Sequence, residues 1–88
     1  MTFKIYLKNG FIAYAAMIRK ENKWLYATDV IVQEGKREPK FNNYPYAVFP
    51  YENIIFYIPF NSSEFDKLKA NITKESKKES KKIPKDLL

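Results

Sequence analysis

The sequence predicts an all-β domain: a small five-stranded barrel, followed by a C-terminal helix and a disordered basic tail. Three observations carry this. Residues 1–60 alternate strand-like apolar runs with turn-forming dipeptides. Composition changes near residue 61, since 14 of the 15 aromatic side chains precede it and only Phe65 follows. The stretch Lys74–Lys82, KESKKESKK, is low-complexity and holds no apolar residue. The expected boundaries are 1–60 for the barrel, 61–74 for the helix and 75–88 for the tail.

TFKIYLKNG alternates as a first strand does, with Phe3, Ile5 and Leu7 pointing one way and Lys4, Tyr6 and Lys8 the other. Asn9-Gly10 is a strong turn dipeptide, because both residues tolerate positive φ. FIAYAAMIRK follows as a second strand, whose small residues Ala13, Ala15 and Ala16 permit close approach or sharp curvature. Lys20-Glu21-Asn22-Lys23 reads as a tight turn, and WLYATDVIVQ as a third strand rich in aromatic and β-branched residues. Gly35, Pro39, Asn42-Asn43 and Pro45 predict a loop over residues 34–45. YAVF is a short fourth strand. Pro50-Tyr51-Glu52-Asn53 reads as one turn of 3₁₀ helix, and IIFYI is a fifth strand ended by Pro59.

Asn61, Ser62 or Ser63 can cap the helix that follows, with Glu64 and Asp66 suited to its first turn. Phe65, Leu68 and Ile72 form one apolar stripe that docks on the barrel or on a neighbouring subunit. Beyond it the Lys-rich stretch cannot bury enough surface to offset the entropy of ordering, and disorder is expected from about residue 75.

Composition excludes much chemistry. The 88 residues include no cysteine and no histidine, so zinc sites of the Cys/His type, thiol chemistry and Ser-His-Asp triads are absent. Gly10 and Gly35 are the only glycines, and no glycine-rich phosphate cradle exists. The expectation is a non-catalytic protein without metal or cofactor. Met1-Thr2-Phe3-Lys4 carries no apolar signal core and no apolar run approaches a membrane span, so a cytoplasmic, non-membrane protein is expected. The net charge of +6 favours polyanionic partners, nucleic acid among them.

Arg19, Lys20, Asn22, Lys23 and Trp24 form the sharpest local constellation: cations for phosphate, an amide for a base edge and an indole for stacking. The same residues also read as a solvated hairpin turn beside a core or rim tryptophan. Lys36, Arg37 and Lys40 form a second basic group beside Phe41, diluted by Glu34 and Glu38. The seven tyrosines offer stacking platforms, but tyrosine is equally favoured at protein interfaces.

Five short strands with a tight turn before the last suggest an SH3-like barrel. Within that class, YLKNGFIAYAAMIRKENKWLYATDVIV resembles the first motif of the Sm-like (LSm) family. Leu7-Lys8-Asn9-Gly10 matches its entry turn, Glu21 stands where the family has an aspartate, and Asn22 or Trp24 near its asparagine. VFPYENIIFYI resembles the second motif, with Glu52-Asn53-Ile54 like its exit, although Pro50-Tyr51 replace its Arg-Gly pair. The resemblance spans residues 3–58. It implies a homo-oligomeric ring in which the fourth strand of one subunit pairs with the fifth of the next. It also implies RNA or single-strand binding at the turns after strands two and four, where Tyr51 and Asn53 join Lys20, Asn22 and Lys23. The competing reading is a protein-interaction or structural module, such as a viral, plasmid or phage accessory protein, that binds a protein partner and no nucleic acid.

Overall fold

The computed structural model describes residues 1–72; the expected low-complexity tail lies outside the described residues. Five strands form one antiparallel sheet: β1 (Thr2–Leu7), β2 (Ile12–Lys20), β3 (Trp24–Glu34), β4 (Lys40–Pro50) and β5 (Ile54–Phe60). A 3₁₀ turn, Tyr51–Asn53, joins the last two. Helix α1 covers residues 62–72. The strand order β4-β3-β2-β1-β5 makes β4 and β5 the two ends of the sheet.

The β1–β2 connection is a short loop, closed by Gly10 N–H donating to Leu7 O and Leu7 N–H donating to Phe11 O, both at 3.0 Å. Only Gly10 takes a positive φ there. Asn9 contributes instead through its side chain, whose Oδ1 accepts from Phe11 N–H at 2.9 Å.

Two expectations are corrected at the sheet edges. Residues 34–45 are not a loop: β3 and β4 stay paired out to Glu34 and Lys40, leaving only residues 35–39 as the connection. Nor does Pro59 end the fifth strand, since it lies opposite Phe3 and β5 continues to Phe60. The reason is common to both. Pro45 and Pro59 sit in the outermost strands, where a missing N–H is tolerated.

A line of weak pairing crosses three strands and bends the sheet. The ladders are registered on both sides of Ala16, Asp29 and Pro45 but not through them. Asp29 adopts φ 53°, a conformation that its short polar side chain tolerates. Asn43 bridges the gap, its Nδ2 donating to Val30 O at 3.0 Å and to Asp29 Oδ1 at 3.3 Å. The side-chain alternation shifts by one residue at this line. Leu25 and Ala27 face the inner core before it, Val30 and Val32 after it; in β2, Ala13 and Ala15 give way to Ile18. The same strands therefore keep apolar residues inside while curving around Ile5 and Leu7.

The outer face is covered over part of its length by α1. Phe65 is buried against Tyr14 and Ile31, with Leu68 and Ile72 packed beside them. The helix thus docks on its own sheet. Asn61 caps it, its Oδ1 accepting from Ser63 N–H at 2.8 Å and Glu64 N–H at 3.3 Å. Lys69 reaches back to Asp29 at the bend and forms an ion pair with it.

Candidate nucleic-acid interface

The β2–β3 turn and the 3₁₀ turn meet at one end of the sheet. The tight turn closes with Glu21 N–H donating to Trp24 O at 2.9 Å. Tyr51 then locks the two turns together. Its N–H donates to Lys23 O at 3.3 Å, and its hydroxyl donates to Glu21 O at 2.7 Å. Pro50 pairs with Trp24 in the β3–β4 ladder, so the start of β3 and the end of β4 are held side by side.

Between these elements lies an open cleft of about 330 Å³, lined by Lys23, Trp24, Pro50, Tyr51 and Glu52. Trp24 is 44% exposed and Tyr51 37%, so both rings remain accessible despite their partners. Glu52 stands in the wall and makes no ion pair among the described residues. Trp24 is the chain's single tryptophan.

The flanking cations differ in how far they are committed. Lys20 sits 5.6 Å from the centroid of the Tyr57 ring. Hydrogen bonding to Tyr57, and the nearby phenol groups of Tyr57 and Tyr51, hold its ammonium above the usual lysine value. Arg19 is engaged twice, by an ion pair from Nε to Glu21 at 2.7 Å and by stacking 4.9 Å from the Tyr26 ring centroid. Asn22 occupies the exposed tip of the turn and does not line the cleft.

The remaining candidates lie elsewhere. Asn53 lines a second cleft of about 340 Å³, together with Leu7, Phe11, Val32 and Phe49 and with Lys8 and Asn9. There the Asn53 carbonyl accepts from Lys8 N–H at 2.9 Å. Lys36 and Arg37 occupy the β3–β4 connection, and Lys40 is the first residue of β4, opposite Glu34. That end is separated from Trp24 by the whole of β3, roughly 33 Å for an extended strand. The two basic groups identified in the sequence therefore belong to opposite ends of the sheet.

Sequence reasoning missed Glu52 and Pro50 as walls of the cleft, and Tyr57 as the partner of Lys20. The signal for the first two was the Pro-Tyr-Glu-Asn interruption itself, which places unlike side chains on one short turn.

Beyond this end no described residue covers the outer face of the sheet. Met17 is 62% exposed, Tyr46 70% and Val48 41%. The β5 edge carries Ile55, Phe56 and Ile58, also exposed, with Phe56 stacked on Tyr6 at 4.5 Å. Among the described residues no helix is long and apolar enough to cross a membrane, and no three His, Cys, Asp or Glu side chains cluster to hold a metal ion. No family model, curated protein or solved structure matches the chain.

Proposed function

We propose that this chain is a non-catalytic module that binds single-stranded nucleic acid, RNA or DNA, at the end of the sheet where Lys23, Trp24 and Tyr51 converge. The observation that carries the reading is that convergence. Two turns far apart in sequence are held by Tyr51 so that an accessible indole stands beside a lysine in one cleft. Aromatic platforms next to cations bind unpaired bases and their phosphates. Lys20 lies close by, and the net charge of +6 adds general attraction for a polyanion.

In this reading the bent sheet is an SH3-like barrel of the Sm-like type, and the active form is a homo-oligomer. Its end strands, β4 and β5, have hydrogen-bonding edges that no other strand of the sheet pairs with, and both expose apolar side chains. Pairing β4 of one copy with β5 of the next satisfies both edges at once. The test is binding of a short single-stranded RNA or DNA at low ionic strength, with light scattering alongside. Salt-sensitive binding by a discrete oligomer supports the proposal.

A second reading is favoured by the exposed side chains of Met17, Tyr46 and Val48: a module that docks a protein partner and no nucleic acid. The two readings separate on one pair of variants. Lys20→Ala/Lys23→Ala weakens nucleic-acid binding in the first reading and leaves partner binding intact in the second.

A further inference from the structure

We infer that the cleft beside Trp24 selects guanine over the other bases, with Glu52 as the residue that reads it. The inference rests on the proposed single-strand binding and adds its base preference. It begins from an anomaly. A cleft that served only to hold a polyanion gains nothing from a carboxylate in its wall, because the like charge repels phosphate. Glu52 nevertheless stands in this cleft with Lys23, Trp24 and Tyr51, and has no ion-pair partner among the described residues.

A carboxylate is a pair of acceptors side by side and donates nothing when ionised. Its complement is a base edge with two adjacent donors. Among the four bases only guanine has one: the N1–H and the N2 amino group on its Watson–Crick edge. Adenine and cytosine pair one donor with a ring acceptor, and uracil flanks its single N3–H with two carbonyls, which a carboxylate repels. A guanine stacked on Trp24 can therefore turn its donor edge to Glu52, while Lys23 remains for a phosphate. The 3₁₀ turn makes this geometry dependable. Tyr51 is tied to both Glu21 and Lys23, so the turn that carries Glu52 is fixed against the strand end that carries Trp24.

The cleft volume of about 330 Å³ lies at the small end for ligand sites and leaves room for a nucleobase on the Trp24 ring. A single guanine in an otherwise featureless strand is thus the expected ligand.

The experiment uses the full chain and the fluorescence of Trp24, the only tryptophan, which reports the cleft itself. The probes are the RNA pentamers UUGUU, UUAUU, UUCUU and UUUUU at low ionic strength. UUGUU is expected to bind about tenfold more tightly than the others, the scale of one good bidentate base contact. Glu52→Gln keeps the size and shape of the side chain but supplies one acceptor and one donor. It is expected to erase the preference for UUGUU while leaving UUUUU binding unchanged or stronger. Equal affinity for all four pentamers overturns the assignment of Glu52 and leaves single-strand binding standing. A guanine preference that survives Glu52→Gln also overturns it. Absence of binding to every pentamer overturns both this inference and the proposed function.

Discussion

The Tyr51 hydroxyl donates to the Glu21 carbonyl at 2.7 Å, tying the 3₁₀ turn that precedes β5 to the turn between β2 and β3. One side chain thereby sets the relative position of the two turns that wall the candidate cleft. Tyr51→Phe removes the hydrogen bond and keeps the ring. Because the bond is exposed, the expected loss of stability in urea unfolding is small, about 0.5–1 kcal/mol. Single-strand binding is expected to fall by a larger factor than stability does, since the cleft loses its fixed geometry.

The cations are separable by position. Lys20→Ala/Lys23→Ala is expected to weaken binding and to make the dependence of log K on log salt shallower by about 1.4, since each single-strand phosphate that a lysine neutralises adds roughly 0.7 to the slope. Lys36→Ala/Arg37→Ala, at the far end of β3, is expected to leave that slope unchanged for a pentamer. Titrations across a salt series check both.

Helix α1 is held chiefly by Phe65, which is buried between Tyr14 and Ile31. Phe65→Ala is expected to destabilise the fold by about 3–5 kcal/mol. Urea denaturation gives the magnitude. Amide exchange should place the first loss of protection in residues 62–72 and in the outer-face residues that they cover.

Asp29 makes the bend sensitive to acid. Partial burial disfavours its charge, but hydrogen bonds from Lys69 and Asn43, with the charge of Lys69, outweigh that and hold the carboxyl below its ordinary value. A carboxyl lowered in the folded state contributes stability that is present above its unfolded value, near pH 4, and is lost as pH falls through its folded value. Asp29→Asn tolerates the same positive φ and removes this dependence. Its stability between pH 2 and 5 is therefore expected to be flatter than that of the parent, and both ion-pair partners are exposed enough for the difference to be small. Thermal unfolding over that range measures it.

The oligomer proposal has its own variant. Ile58 is exposed on the β5 edge, away from the inner core, so Ile58→Lys should leave the monomer folded. It is expected to convert the oligomer to monomer in light scattering, with the circular dichroism of the sheet retained.

Much of this architecture is written locally. The alternation in the first strand, the Asn9-Gly10 turn and the Pro50-initiated 3₁₀ turn each depend on a few neighbouring residues and are legible in the sequence; so is the helix start, where Asn61, Ser62 and Ser63 all qualify as the cap and the structure selects Asn61. The length of β4 is not. Asn42, Asn43 and Pro45 break strands in most contexts, but here Pro45 lies in an end strand and Asn43 donates to the Val30 carbonyl. Both facts depend on a strand far away in sequence. The same holds for the site. Lys23 and Trp24 are adjacent and recognisable together, whereas Glu52 joins them only through tertiary packing. Lys36 and Arg37 look equivalent to Lys20 and Lys23 because sequence shows charge but not which end of β3 carries it.

The central claim is that an unpaired base stacks on Trp24 beside Lys23. Its most direct test is Trp24 fluorescence during titration with a single-stranded RNA pentamer, first at low salt and then with salt raised. Saturable quenching that is reversed by salt and shifted to higher RNA concentration in Lys20→Ala/Lys23→Ala is the predicted result. An emission spectrum unchanged at every RNA concentration, from protein shown to be folded, contradicts the claim.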